Sequence, residues 1–201
     1  MAAETLRLAD TFCRKAEACL STGNPDGAEA LAAEAVARDP ACVWGHQVLA
    51  RVALARDEIQ NARSILERRA ELPRDDAHGR WGEIAEQIGD LDAAMQIYTE
   101  HLDRAPDDRD ALYRLALLHA DRGEPGKAQA RLQALVRVAP DFAPACFELA
   151  RLYDEDGMLG LAAEIYDRGL QIDPHNGEAR SARDLLAARQ EEASRFSQAS
   201  A

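Results

Sequence analysis

The chain has 201 residues, a net charge of −12 and 47% apolar residues. This composition predicts a folded, soluble protein rather than a disordered one, and the excess of acid argues against general binding to nucleic acid or anionic membranes. Alanine makes up about one residue in five, which favours helix throughout the chain.

Small residues recur along the chain in a fixed order. From the N-terminus, each occurrence has Ala or Gly, then Gly or Asp seven residues later, then Ala after a further five, with Pro near its end. Successive occurrences lie 34 residues apart, except for one step of 32. The five sets are Ala16, Gly23, Ala28, Pro40; Ala50, Asp57, Ala62, Pro73; Gly82, Gly89, Ala94, Pro106; Ala116, Gly123, Ala128, Pro140; and Ala150, Gly157, Ala162, Pro174.

This order of small residues has a physical reason. Two antiparallel helices approach each other closely only where a side chain is nearly absent, so the Ala and Gly positions predict helix crossings. Glycine between them permits the backbone angles of a tight turn, and proline stops the second helix. Each occurrence therefore predicts one helix–turn–helix unit.

The pattern resembles the tetratricopeptide repeat, which has small residues at its eighth and twentieth positions and proline near its end. The resemblance implies an all-α fold, an αα-superhelix or solenoid of five helix–turn–helix repeats plus a C-terminal capping helix. We expect a single domain over 1–201, a capping helix over 177–195 and a disordered tail over 196–201. The repeats are predicted at 9–42, 43–74, 75–108, 109–142 and 143–176.

Two departures from the family pattern are visible. The second repeat is two residues short and has Asp57 in place of the turn glycine, so we expect irregular packing around residues 57–79. The family's small residue at position 27 is present as Ala35 and Gly169, whereas Arg69, His101 and Leu135 occupy that place in the middle repeats.

The sequence contains no motif for phosphate binding, hydrolysis or paired-cysteine metal binding. Its four cysteines, Cys13, Cys19, Cys42 and Cys146, follow no metal-binding or disulfide spacing, which predicts reduced thiols in the cytoplasm. Three of the histidines, His46, His78 and His119, fall at positions that the repeat packs inside, and are interpreted as core residues. We therefore expect no catalytic activity, cofactor or metal.

Other features bear on location. The chain has no long apolar run, and its first ten residues, MAAETLRLAD, are too polar for a signal peptide, so no membrane insertion is expected. Nearly all the basic residues are arginine, which hints at a GC-rich bacterial genome.

The exposed face of the first helices is the candidate binding surface. In the family resembled here, these helices line a concave face that binds an extended peptide or a partner helix. The residues predicted to bind a protein or peptide on this face are Trp44, Arg51, Arg80, Tyr113, Arg114, Leu117, Phe147 and Arg151. Aromatic and arginine side chains are the types that binding surfaces favour.

A structural interpretation stays open for the same residues. The pairs Arg14 with Glu17, Arg80 with Glu83, and Glu148 with Arg151 have the spacing of solvated ion pairs on one helix. Tyr113 and Phe147 also suit packing against the neighbouring repeat. Lysine and asparagine, which grip a terminal carboxylate in some members of the family, are missing from these positions.

The sequence thus predicts a non-catalytic protein-interaction scaffold or adaptor. A chaperone for a secretion or assembly substrate, similar to small acidic chaperones built from these repeats, is the alternative. A chaperone of that kind would bind unfolded apolar segments, whereas an adaptor would bind a folded partner or a defined peptide. The identity of the partner and the oligomeric state stay open.

Overall fold

The computed structural model describes residues 2–73 and 79–199, and all regular structure in those ranges is helical. A short 3-10 helix, Arg68–Glu71, follows the fourth α-helix. The α-helices are α1 (Ala2–Ser21), α2 (Pro25–Arg38), α3 (Val43–Ala55), α4 (Ile59–Glu67), α5 (Arg80–Ile88), α6 (Leu91–Leu102), α7 (Arg109–Asp121), α8 (Pro125–Val138), α9 (Ala143–Glu155), α10 (Leu159–Ile172) and α11 (Gly177–Ala199).

The chain divides into two compact units. Unit 1 comprises Met1–Ala105 and contains α1 to α6, and unit 2 comprises Pro106–Ala201 and contains α7 to α11. Within each unit, every helix packs against the next one along the chain. In unit 1, α3 also contacts both α1 and α5, so first helices of successive repeats lie side by side.

The predicted helix crossings are present. The alanines at the twentieth position of the repeat are all completely buried, at 0% exposure. At the eighth position, Ala16, Ala50, Ala116 and Ala150 are also at 0%, and Gly82 is buried. A larger side chain at these contacts would force the paired helices apart.

The turn positions of the repeat have the backbone conformation that their sequence predicts. Gly23, Gly89, Gly123 and Gly157 have φ values between 72° and 83°, the left-handed region that glycine enters without strain. In the second repeat, Asp57 occupies the same place with φ of 61°. Aspartate is one of the few residues that tolerate this conformation, so the turn is preserved although its glycine is missing.

The second repeat is irregular where the sequence predicts it. Helix α4 is nine residues long, against 14 in α2, and gives way to the 3-10 helix before Pro73. Residues 74–78, including His78, lie outside the described residues.

The helices at the two ends of the chain extend beyond the predicted bounds. Helix α1 begins at Ala2, seven residues before the predicted repeat. Helix α11 continues to Ala199 instead of ending at 195. The tail that the sequence predicts to be disordered over 196–201 is helical as far as Ala199. The stretch has neither Gly nor Pro to end the helix, and residues 200 and 201 lie outside the described range.

The third repeat has glycine at its eighth position because an aromatic ring occupies the space of a side chain. A Cβ added to Gly82 would lie 2.5 Å from two carbons of the Tyr98 ring. Tyr98 is 2% exposed and its hydroxyl donates a hydrogen bond of 2.6 Å to Glu86. Burial and this hydrogen bond hold the Tyr98 ring in place, so it has little freedom to move away from Gly82.

Gly82→Ala should therefore destabilise unit 1 although alanine is the better helix former. We expect a loss of about 1–3 kcal/mol from overpacking, partly offset by about 1 kcal/mol of helix propensity. Gly160→Ala is the matched control, because no atom lies within 4 Å of a Cβ added there. Urea unfolding followed by far-UV circular dichroism distinguishes the two, and equal midpoints for both variants would contradict this account.

Candidate functional site

Unit 2 contains a cleft of about 400 Å³ in which α7, α9, α10 and α11 each place side chains. We call it the unit 2 cleft. It is lined by Tyr113, Pro144, Phe147, Glu148, Arg151, Tyr166, Asp173, Asn176, Glu178, Ala179 and Ala182. Three of the predicted binding residues, Tyr113, Phe147 and Arg151, therefore lie together on one concave surface.

Phe147 has a packing contact on one side and the cleft on the other. Its ring stacks on that of Tyr166, with centroids 6.5 Å apart and planes at 27°. A Cβ added to Gly169 would lie 2.4 Å from the Phe147 ring, so the small residue at position 27 of this repeat makes room for the ring. Phe147 remains half-buried, so it both packs inside the repeat and offers part of its ring as a binding surface.

Tyr113 is fixed by the ring of Phe142, the residue that precedes α9. Its centroid lies 5.2 Å from that of Phe142 in an edge-to-face arrangement of 86°. Such pairs contribute about 0.5–1.5 kcal/mol beyond the burial of their area. Tyr113 is half-buried and lines the cleft, so it also combines packing with an accessible surface.

The charged groups of the cleft are mainly carboxylates. Arg151 donates to Glu148 through Nε at 3.0 Å and to Glu155 through Nη1 at 2.5 Å, which is the pairing along one helix that the spacing of Glu148 and Arg151 allows. Asp173 accepts a backbone N–H from His175. Within the described residues, no basic side chain forms an ion pair with Asp173 or Glu178.

The acidic surroundings also affect the cleft tyrosines. Burial raises the pKa of Tyr113, and the charge of Glu148 raises it further while Arg114 opposes the change. Burial likewise raises the pKa of Tyr166, followed by the charge of Asp154. Both hydroxyls therefore stay protonated and available as hydrogen-bond donors at neutral pH.

Three predicted residues of unit 1 meet around Glu17. The Trp44 indole donates a hydrogen bond of 3.2 Å to one oxygen of Glu17, and Arg51 forms an ion pair with the other. The Arg80 guanidinium lies 5.8 Å from the centre of the Trp44 ring, within the range of a cation–π contact. The spacing of Glu17 also allowed a pair with Arg14, but the carboxylate is bound by residues of the next repeat.

A smaller cavity of about 220 Å³ adjoins this cluster. It is lined by Glu17, Gln47, Arg51, Arg80, Glu83, Ile84 and Gln87. We call it the unit 1 pocket. Two arginines and two glutamates balance in charge there, in contrast to the unit 2 cleft.

The remaining predicted residues, Arg114 and Leu117, lie on α7 outside the lining of the unit 2 cleft. Arg114 is exposed and Leu117 is half-buried. The cleft lining also contains residues outside the predicted set, which came only from first helices: Tyr166, Asp173, Asn176 and Glu178. Tyr166 had a sequence signal, since it occupies the same repeat position as Tyr98.

His46 and His119 belong to the packing of their repeats. His46 and His119 are both buried at 8% exposure, as predicted. A His46 ring nitrogen lies 3.1 Å from the carbonyl oxygen of Pro40, and His119 Nδ1 lies 2.7 Å from a Glu124 oxygen. That contact with His119 is the main reason that the pKa of Glu124 is lowered.

Among residues 2–73 and 79–199, no three His, Cys, Asp or Glu side chains are arranged to hold a metal ion. In the same part of the chain, no helix combines the length and apolarity needed to span a bilayer.

The model of the tetratricopeptide repeat family matches the chain over residues 19–80, 87–152 and 119–186. These ranges together include the candidate residues of both units. No sequence among curated proteins matches the chain.

Solved structures with a similar fold include three informative ones. Pseudomonas aeruginosa pilF has a TM-score of 0.79 and 19% identity, and the match covers 95% of this chain and 88% of pilF. YrrB, described as a repeat protein with an unusual peptide-binding site, has a TM-score of 0.68 and 18% identity, and the match covers 86% of this chain and 90% of YrrB. The first repeat domain of Spaghetti (RPAP3), bound to the HSP90 peptide SRMEEVD, has a TM-score of 0.54 and 18% identity, and the match covers 58% of this chain and 96% of that domain.

These similarities confirm the predicted fold class, an all-α tetratricopeptide αα-superhelix with five helix–turn–helix repeats and a C-terminal helix. At these identities the structures report the fold alone. The family is in general one of protein-interaction folds without enzymatic activity.

The two cleft aromatics should differ in their contribution to folding. Phe147→Ala removes the ring from Gly169 and Tyr166 and should cost about 2–3 kcal/mol, below the range for a fully buried phenylalanine. Tyr113→Ala should cost about 1–2 kcal/mol, mainly the contact with Phe142. Urea unfolding measures both, with Leu161→Ala as a control because Leu161 is 46% exposed. Unchanged stability in Phe147→Ala would exclude its packing role.

Proposed function

Because the chain belongs to the tetratricopeptide repeat family, we propose that it is a non-catalytic interaction scaffold whose unit 2 cleft binds a positively charged segment of a protein partner. The observation that carries the proposal is the combination of accessible aromatic rings and carboxylates without basic partners in one cleft. The segment is of the size of a few extended residues, as a cleft of about 400 Å³ accommodates.

The aromatic rings supply the contact area of the proposed site. Tyr113 and Phe147 are each held by a second ring, so little side-chain entropy is lost when a ligand covers them. Rigid aromatic side chains of this kind are frequent among residues that dominate binding energy. Their faces also attract cations, because the ring quadrupole is negative above and below the plane.

The charges of the cleft determine the class of partner. Arg151 is shared between Glu148 and Glu155, so its positive charge is already balanced. Asp173 and Glu178 then make the cleft electronegative, and the net charge of the whole chain is −12. Lysine or arginine side chains complement this field, whereas an acidic segment would be repelled. In this proposal Arg151 positions carboxylates instead of binding an acidic ligand.

The comparison proteins support peptide binding only in general terms. The Spaghetti domain was solved with the peptide SRMEEVD, which carries three acidic residues. The unit 2 cleft has the opposite preference in our proposal, because its uncompensated groups are carboxylates. Its partner would therefore belong to a different charge class.

The unit 1 residues form a second proposed contact surface. Arg51 and Arg80 line the unit 1 pocket together with Glu17 and Glu83. Trp44 lies beside the pocket, in contact with Glu17 and Arg80. The balance of charge there suits a polar segment with both donors and acceptors. Arg114 and Leu117 remain proposed contacts on α7. We also propose a cytoplasmic setting, which suits four free thiols, and a bacterial source, for which the excess of arginine over lysine argues.

Binding to peptide arrays tests the charge class. We expect the labelled 201-residue chain to bind short peptides with Lys and Arg at alternate positions, and not peptides of equal length with Asp and Glu there. Asp173→Asn combined with Glu178→Gln should weaken binding by about tenfold, equivalent to roughly 1.4 kcal/mol. Raising the salt concentration should weaken it further, because exposed charges are screened.

The control for this experiment has the same net charge as the cleft variant. Asp141→Asn combined with Glu164→Gln neutralises two exposed carboxylates outside the cleft lining and should leave binding unchanged. Equal loss in both double variants would show that net charge alone attracts the peptides. Preferential binding of an unfolded apolar polypeptide would favour the chaperone alternative.

A further inference from the structure

Two cysteines from different helices of unit 1 lie with their sulfur atoms in contact. Cys13 is in the middle of α1, and Cys42 is the residue that precedes α3. Their Sγ atoms are 3.7 Å apart although the residues are 29 positions apart in sequence. Both are free thiols, with Cys13 at 0% and Cys42 at 8% exposure.

The surroundings give the two thiols different properties. Cys42 caps the N-terminus of α3, where its sulfur accepts the backbone N–H of Gly45 at 3.4 Å. A negative charge is stabilised at this end of a helix. The hydrogen bond with Cys13 and that with Gly45 lower the pKa of Cys42 to about 7 against the opposing effect of burial. The pKa of Cys13 is raised by the same hydrogen bond and by burial.

We infer that Cys13 and Cys42 are an oxidisable dithiol, in which the Cys42 thiolate attacks a hydroperoxide and Cys13 then forms an intramolecular disulfide with it. The sulfur atoms must approach from 3.7 Å to the roughly 2.05 Å of a disulfide bond. Cys42 is 8% exposed and Cys13 0%, so Cys42 is the residue of the pair that lies nearer to solvent, and we assign it the first reaction with the oxidant.

The chemistry balances in two steps with hydrogen peroxide as oxidant. First, the Cys42 thiolate attacks one peroxide oxygen, so that an S–O bond forms, the O–O bond breaks and hydroxide leaves; the sulfur becomes a sulfenic acid. Second, the Cys13 sulfur attacks the Cys42 sulfur, so that the S–S bond forms and the S–O bond breaks. The departing hydroxide takes up the Cys13 proton as water. The two thiols lose two electrons in total, and the peroxide gains them.

The other two cysteines provide an internal comparison. Cys19 also lies on α1 but is six residues from Cys13, and Cys146 is buried in α9 of unit 2. Among the described residues, neither has a second sulfur in contact. Burial raises the pKa of Cys146, which makes it less reactive.

A disulfide at this place would act next to a proposed contact surface. Trp44 and Phe12 pack against the cluster formed by Ala9, Cys13, Ala35 and Cys42. A bond between the sulfurs would tie α1 to the segment before α3, directly beside Trp44. Oxidation is therefore expected to change the fluorescence of Trp44.

Thiol counting and peptide mapping test the inference. The reduced 201-residue chain is treated with hydrogen peroxide and denatured, and its remaining thiols are blocked. We expect two of the four thiols to be lost, with the loss mapped to a linked pair of peptides containing Cys13 and Cys42. A loss at Cys19 or Cys146 instead, disulfides only between chains, or four intact thiols would overturn the inference.

Single substitutions separate the two roles. Cys42→Ser should protect Cys13 from oxidation, whereas Cys13→Ser should stop the reaction at a Cys42 sulfenic acid that dimedone traps. Cys19→Ser is the control and should oxidise like the unsubstituted chain. Far-UV circular dichroism checks that each variant is folded. If a variant does not fold, the peptide map of the unsubstituted chain is the test of the Cys13–Cys42 disulfide. Oxidation of Cys13 at an unchanged rate in Cys42→Ser would contradict the assignment of Cys42 as the attacking sulfur.

Discussion

The close approach of paired helices at alanine is the constraint on which the other features of this protein depend. Ala28, Ala62, Ala94, Ala128 and Ala162 are all at 0% exposure, and each lies where a second helix meets the first helix of its repeat. This contact leaves no freedom to rotate either helix, because rotation would bring a larger side chain into the crossing. The direction in which every other residue of the pair faces is thereby determined, including Tyr113, Phe147 and Trp44.

The fold was predictable because its signals are local and repeated. Left-handed turns, small crossing residues and terminating prolines each act within one repeat. Asp57 adopts the left-handed conformation of the turn although glycine is absent there. The ends of elements were less predictable. The early start of α1 and the extension of α11 to Ala199 concern segments outside the repeat pattern, where helix propensity alone decides the boundary.

The candidate site was predictable only in part, for a physical reason. The spacing within a helix predicts which residues share a face, and Tyr113, Phe147 and Arg151, which it assigns to one face, all line one cleft. It does not predict which partner a side chain selects from another repeat. Glu17 illustrates this, because Trp44 and Arg51 bind it from positions 27 and 34 residues away. Asp173, Asn176 and Glu178 line the cleft because of the way the last helix packs. The repeat pattern does not predict that packing.

Position 27 of the repeat connects the two features that we propose to be functional. It holds a small residue only in the first and last repeats, as Ala35 and Gly169, while Arg69, His101 and Leu135 fill it elsewhere. Ala35 lies in the cluster that contains Cys13 and Cys42, and Gly169 lies under the ring of Phe147. A side chain as large as Leu135 at either place would occupy the space that the sulfurs or the ring now take. A small residue at position 27 thus leaves room for the contact between two thiols in unit 1 and for the Phe147 ring that lines the cleft in unit 2.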